Sequence, residues 1–353
     1  MAYTTIDDPS AHFQTLLYTG NSSTQSVTFS GNSDLQPDFV WTKCRSNASD
    51  NFLHDTNRGV HKNIHTNTNE TETDNSNGLT AFNSDGFSMG NVGGMNFNNQ
   101  TYVGWGWKAN GATTTTISAG GDIGRETVSQ VNTTAGFNIC TYTGSGSQTS
   151  FGHSLGAVPH WIMIKNRDQN DDWFVWHQDL NNNQGLEINT QSGIGTTNGY
   201  MGNEAPTSTF VGLGDGSDTN ASGEKYVAYL FSEKQGYSKF SSYIGNANAN
   251  GPYVYTGFKP AWLMLRNVTN GEDWLIWDVK RDEITALGNP MTGRLKANDT
   301  IAEVNGNDID FLASGFKIRT DSGYANQSGA VILYFAFAEN PFVSSEGVPT
   351  TAR

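Results

Sequence analysis

Three short stretches place an acid beside a base where an apolar strand runs out. His54-Asp55 is followed by Arg58, Asp278 by Arg281, and His177 by Asp179. A carboxylate held against a guanidinium or imidazole can orient a proton or grip an anion. The same pairing also works as a brace, with the Asp accepting turn amides or holding the Arg at the sheet end. Its recurrence among otherwise different loops favours the brace. His61 and His65 stand four apart, the spacing of a metal pair on one helical face. Their neighbours Asn63, Thr66, Asn67, Thr68 and Asn69 are poor helix formers, which argues against such a face.

Other chemistry is weaker still. Gly214-Asp215-Gly216-Ser217-Asp218-Thr219-Asn220 alternates oxygen ligands like a calcium loop but lacks the bidentate Glu, so a hairpin turn is the simpler reading. Asn305-Gly306-Asn307-Asp308 and Asp310 are read in the same way. A glycosidase needs two carboxylates facing across a cleft, and with 34 acids present spacing supports no particular pair. There is no nucleophile elbow, zinc motif or phosphate loop, and Gly144-Ser145-Gly146 reads as a turn with no helix after it. Cys44 and Cys140 read as small buried thiols in different units. No cofactor and no metal are expected.

The tryptophans are the remaining candidates. Trp173 and Trp176 are three apart, as are Trp274 and Trp277. On a strand an odd separation puts the members of a pair on opposite faces. One of each pair is then core, and the other is free to stack on a sugar ring or to pack between domains. These four are the candidate ligand-binding residues.

The elements that hold these residues occur three times. A strand ending in a turn runs from Phe13 to Gly20, from Phe137 to Gly144 and, more degenerately, from Phe240 to Gly245. Pro37, Pro159 and Pro260 each open an apolar strand, and proline is tolerated there because the first position needs no ladder donor. A second strand carries the acid–base pairs. A Ser-Gly-Phe type turn follows at residues 84–89 and 313–318, with a weak equivalent at residues 210–213. Each unit closes on an aromatic strand, residues 102–108, 226–232 and 332–338. In the first of these Trp105 and Trp107 alternate with Gly104 and Gly106, and in the last Phe335 and Phe337 alternate with Ala336 and Ala338. A period of two puts the large rings on one face and leaves the other to solvent or to close packing.

The reading is an all-β protein of three tandem antiparallel β-sandwich domains, jelly-roll or lectin-like, related by internal repeat. Residues 1–12 form an N-terminal arm and residues 13–112 the first repeat. Residues 113–135 form a Gly/Thr-rich linker with one strand near residues 127–131. Residues 136–236 and 237–342 are the second and third repeats, packed on each other across a short joint, and residues 343–353 a tail. The arms either dock on a neighbouring subunit or fray. The variable loops, residues 56–78, 180–205 and 283–308, are where contacts are expected.

Composition agrees. Of 353 residues, 40 are Gly and 38 Asn, which favour turns, while 12% are aromatic, which excludes disorder. A net charge of −14 argues against nucleic acid and anionic membrane surfaces. No apolar run reaches membrane-spanning length and the start is unlike a signal peptide, so neither membrane insertion nor export is expected.

Four segments carry a family resemblance: residues 1–10, beginning Met1-Ala2-Tyr3-Thr4-Thr5; Leu35 to Trp41; Glu233 to Phe240; and the end, from Ala338 to Val343 and from Gly347 to Arg353. They resemble structural proteins of marine tailed bacteriophages, commonly labelled tail fibre, virion structural or lectin-like. The resemblance covers essentially the whole chain, and it departs from the usual pattern at Cys44 and in the long polar loop at residues 61–78. It implies a place on the particle exterior, with other virion proteins as partners, homo-oligomers such as trimers, and a host-surface glycan as ligand. It brings no catalytic residues. The alternatives are a capsid decoration or head-fibre protein, or a tailspike-like enzyme that degrades polysaccharide.

Overall fold

The computed structural model describes residues 2–282 and 289–350. It is all-β, with several antiparallel sheets and, among the described residues, helices of no more than four residues. One strand order recurs three times. In the first unit the opening strand Phe13–Thr19 pairs with the closing strand Thr101–Trp107. That pairs with the proline strand Phe39–Cys44, then the middle strand Phe52–Asp55 and the outer strand Lys62–His65. The second unit repeats the order as Phe137–Thr143, Lys225–Phe231, Trp161–Asn166, Phe174–His177 and Gln184–Glu187. The third repeats it as Ser238–Ile244, Val331–Pro341, Phe258–Asn267, Leu275–Asp278 and Met291–Lys296. The registers therefore define equivalent residues. Trp107, Phe231 and Phe337 occupy one position, and Trp105, Tyr229 and Phe335 another.

Two expectations change in detail. Residues 113–135 hold the strand expected near residues 127–131 and one more: Thr127–Asn132 and Thr115–Ile117 extend the sheet of the second unit beyond its opening strand. β-branched Thr127, Val128 and Val131 supply the strand propensity. Pro260 lies inside a longer strand rather than at its start, at a register shift where a missing ladder donor costs nothing.

The closing strands are buried on both faces. Gly104 and Gly106 face a small sheet formed by Gln25–Val27, Phe87–Met89 and Leu79–Phe82. A Cβ on Gly104 would sit 3.1 Å from the Phe87 ring, and one on Gly106 would sit 2.4 Å from the Phe29 ring. Glycine is what lets these rings approach the strand. The opposite face points to the middle of the molecule. There Trp107, Phe231 and Phe337, each at most 1% exposed, form a triangle with centroid separations of 6.4, 5.6 and 5.7 Å. One apolar cluster runs through all three units, so the units share a core at their common centre.

The arms fold back on their own chain. Thr4 and Ile6 are buried, Thr4 Oγ1 donates to the Gln235 carbonyl, and the Ser345 amide donates to Asp7 at 2.7 Å. Met1 and residues 351–353 of the expected arm and tail lie outside the described residues, as do residues 283–288 of the third variable loop.

Candidate functional site

The acid–base pairs lie in the seams between units, and the seams follow one another around the central triangle. Phe39 of the first unit meets Tyr229 of the second at 4.5 Å. Trp161 of the second meets Phe335 of the third at 4.7 Å, and Trp262 of the third meets Trp105 of the first at 6.3 Å. Each ring of the proline strand thus packs on the closing strand of the next unit, and the third unit returns to the first. The cross-strand partners of Phe39, Trp161 and Trp262 are Asp55, His177 and Asp278.

These three residues match the ring they face. Tyr229 donates its hydroxyl to Asp55 at 2.6 Å, and Trp105 Nε1 donates to Asp278 at 3.0 Å. His177 faces Phe335, which has no donor, edge-on at 5.1 Å. A carboxylate stands where the neighbour offers N–H or O–H, and a neutral ring stands where it does not, as the cost of an unpaired buried charge requires. Arg58 binds Asp55 and Arg281 binds Asp278, at 2.5 and 2.6 Å, with all four side chains fully buried. Arg58 continues to Glu72, which holds Arg167 of the second unit. Arg281 continues to Glu303, which holds Arg45 of the first. At the second seam the equivalents of Arg58 and Arg45 are Leu180 and Val268, both buried. Two seams therefore carry four-member ionic chains, and at the other the equivalent end positions are apolar. In each ionic chain every charge meets an opposite one, so the arrangement holds units together and leaves none of its own acids or bases free.

Two more sets of equivalents seal the seams. Lys43, Lys165 and Arg266 are fully buried on the proline strands. They donate to the carbonyls of Asp299, Asn69, and Thr190 with Ser192, each time in the preceding unit. Burial lowers Lys43 and Lys165 to about 8 and Arg266 to about 10, in each case because the charged form loses hydration. Trp173 Nε1 donates to the His65 carbonyl at 2.8 Å and Trp274 Nε1 to the Glu187 carbonyl at 2.9 Å. Asn51 Nδ2 takes the same place in the first unit, donating to the Ala297 carbonyl at 2.7 Å.

This placement corrects the tryptophan reading. Trp173, Trp274 and Trp277 have no exposed surface and Trp176 is 5% exposed, so none of the four can stack on a sugar. All nine tryptophans are buried. The alternation argument holds, since the pairs do diverge, but both sheet faces are covered. Trp173 and Trp274 reach the preceding unit through the His65 and Glu187 carbonyls, whereas Trp176 donates within its own unit to the Asn181 carbonyl.

His61 and His65 flank and end a strand rather than sharing a helix, and His65 makes a side-chain contact with Asn63 at 3.2 Å. The Gly214–Asn220 stretch holds the short helix Ser217–Asn220 rather than a hairpin turn. Its Asn220 belongs to a motif the sequence reading missed. Asn96, Asn220 and Asn326 each end a four-residue helix and are fully buried. Each accepts from the amide that follows the opening-strand turn, at Asn21, Ser145 or Asn246. Each donates to Gly90, Gly214 or Thr320. The clue was an Asn at a constant distance from the closing strand. Asp308 pairs with Arg294 at 2.7 Å, and Asp310 with Arg319 at 3.3 Å. Cys44 and Cys140 are free and buried.

Concave surface occurs at the outer rims of two seams. One pocket of about 220 Å³ lies between the opening strand of the first unit and the third unit, lined by Asp8, Gln14, Thr15, Lys280 and Glu339. A wider groove of about 480 Å³ lies between the second and third units, lined by Tyr3, His160, Glu233, Gln235, Lys239 and Tyr255, among others. No helix among the described residues is long and apolar enough to cross a membrane.

Residues 8–341 match the model of a domain family of unknown function, DUF7483. The chain belongs to that family. No curated protein and no solved structure matches it.

Proposed function

We propose that the protein is a non-enzymatic structural component of the exterior of a tailed-bacteriophage particle, a tail fibre or appendage that contacts the host surface. The observation that carries this reading is where the charged groups go. Asp55, Arg58, Glu72, Asp278, Arg281 and Glu303 are all engaged in closing the seams between units, and the loops between strands are left for contact. A rigid body displaying loops suits recognition by contact. The resemblance of the termini and strand starts to phage structural proteins supports the same reading, as does a net charge of −14, which favours solubility at high copy number.

In this reading the three units are tandem β-sandwich domains. Their partners are other virion proteins, further copies of the chain as in trimeric fibres, and a host-surface glycan, with neither nucleic acid nor membrane insertion involved. Immunogold labelling of purified particles tests the reading. Label at the tail is the expected result, label at the head would favour a decoration protein, and absence from the particle would sink both. Release of reducing ends from host polysaccharide by the pure chain would identify a tailspike-like enzyme instead.

A further inference from the structure

The third unit carries exposed rings that its fold does not require. In its strand Tyr253–Tyr255, Val254 is the buried residue and pairs with Phe316 after the Ser-Gly-Phe turn. In the first unit Val27 is its equivalent, buried and paired with Phe87. The flanking positions there are Ser26 and Thr28, both exposed and small. In the third unit they are Tyr253 and Tyr255, 47% and 57% exposed. The core requirement is met by the valine alone, so the two rings answer to something outside it.

Both rings are held in place. The Tyr253 hydroxyl is 2.7 Å from Ser314 Oγ. The Tyr255 hydroxyl is 3.2 Å from that of Tyr3, which in turn donates to the Gly257 carbonyl at 2.7 Å. Residues two apart on a strand share a face and stand roughly 7 Å apart. Pinned phenols present flat apolar faces that lose little entropy when something stacks on them. Tyr255 also lines the groove of about 480 Å³ between the second and third units, a volume within the roughly 300–1,000 Å³ usual for small-molecule sites. The groove adds Ser238, Thr256, Gln235, Glu233, Lys239 and His160. Glu233 is already engaged with Lys239 at 2.8 Å. The Thr256 hydroxyl donates to the Phe258 carbonyl, Ser238 Oγ accepts from the Lys234 amide and His160 Nδ1 from the Glu233 amide. What is left to a ligand is the Gln235 amide and His160 Nε2 beside the Glu233–Lys239 pair.

We propose that this groove, with Tyr255 in its wall and Tyr253 beside it on the same strand, forms a saccharide-binding site. Stacking faces beside an amide, an imidazole and a neutralised ion pair match a ligand with C–H faces and ring hydroxyls. Two tyrosines give a platform for adjacent rings of one oligosaccharide, with its hydroxyls turned to Gln235 and His160. The proposal rests on the reading of the protein as a host-contacting part and names the surface that makes the contact.

The test uses the full chain on a printed array of bacterial lipopolysaccharide O-chains and capsular oligosaccharides, followed by calorimetric titration of any hit. Binding is expected, falling at least tenfold in Tyr255→Ala and in Tyr253→Ala at an unchanged melting temperature, and unchanged in Trp173→Phe. No binding on the array at millimolar saccharide would overturn the proposal, as would full binding by both tyrosine variants. Tyrosine-dependent self-association without saccharide binding would also overturn it, by identifying the strand as a pairing edge for a second copy. Particle labelling separates the two readings. A chain found in the virion that binds no saccharide leaves the virion reading standing, and saccharide binding by a chain absent from the virion leaves only the groove.

Discussion

Tyr229 of the second unit donates its hydroxyl to Asp55 of the first, 2.6 Å away and fully buried. The equivalent Trp105 does the same for Asp278 across another seam, and Phe335, with nothing to donate, faces His177. Each seam is a matched pair of residue types, which exchanging the types one at a time tests.

Tyr229→Phe removes one charge-assisted donor from Asp55 and should cost about 1.5–3 kcal/mol in urea unfolding. His177→Asp puts a carboxylate opposite a phenyl ring and should cost about 3–5 kcal/mol. Adding Phe335→Tyr should return at least about 1 kcal/mol, a coupling that a double-mutant cycle measures. Strict additivity of the two changes would contradict the matching.

The buried tryptophans make a separate prediction. Trp173→Phe and Trp274→Phe keep the packing but leave the His65 and Glu187 carbonyls without a donor. Each should lower stability by about 1 kcal/mol. A loss of ligand binding at unchanged stability would instead return these residues to the role the sequence first suggested.

Acid should loosen the fold through its histidines. Burial holds His153 and His177 down to about 4 and lowers His54 well below its ordinary value, with Arg58 nearby adding to the effect on His54. A histidine depressed in the folded state binds fewer protons there than in the unfolded chain. Its stabilisation is complete above about pH 6.5 and is lost as pH falls toward 4. The melting temperature should therefore drop steadily between pH 6.5 and 4, and His153→Gln should flatten that slope. A melting temperature that does not change across this window would contradict the assignment.

Asp218 should act in the opposite sense. Burial and the nearby Asp171, Asp172 and Glu187 raise it to about 6. An acid raised in the folded state destabilises the fold once it ionises, so its cost is present at pH 7 and relieved as pH falls through 6 toward 4. Asp218→Asn should stabilise the protein at pH 7 by ~1 kcal/mol, after discounting for its partial exposure, and the gain should vanish near pH 4. Destabilisation at pH 7 would show that the carboxylate is needed.

Much of the fold was legible because it depends on local pattern. Alternation at Trp105 and Trp107 marked the closing strand and the face that holds the rings, and recurrence of the pattern marked three units. Alternation does not say which unit will oppose that face, so the Trp107–Phe231–Phe337 triangle was not readable. The acid–base pairs were visible and their bracing role was favoured, but their partners Tyr229 and Trp105 lie in other units, 174 and 173 residues away in sequence. Asn96, Asn220 and Asn326 were missed because Asn is a poor helix former, and a four-residue helix leaves no periodic signal. The tyrosine pair carries no signal of its own, since aromatic residues suit a strand and only the small, exposed Ser26 and Thr28 at the equivalent positions mark it as unusual.

The central claim is that three units close on one shared core, and calorimetry of the intact chain tests it most directly. One unfolding transition is predicted, with calorimetric and van't Hoff enthalpies that agree. Phe231→Ala should move that single transition down as a whole, by about 3–5 kcal/mol. Two or three separable transitions, with only the middle one displaced by Phe231→Ala, would contradict the account.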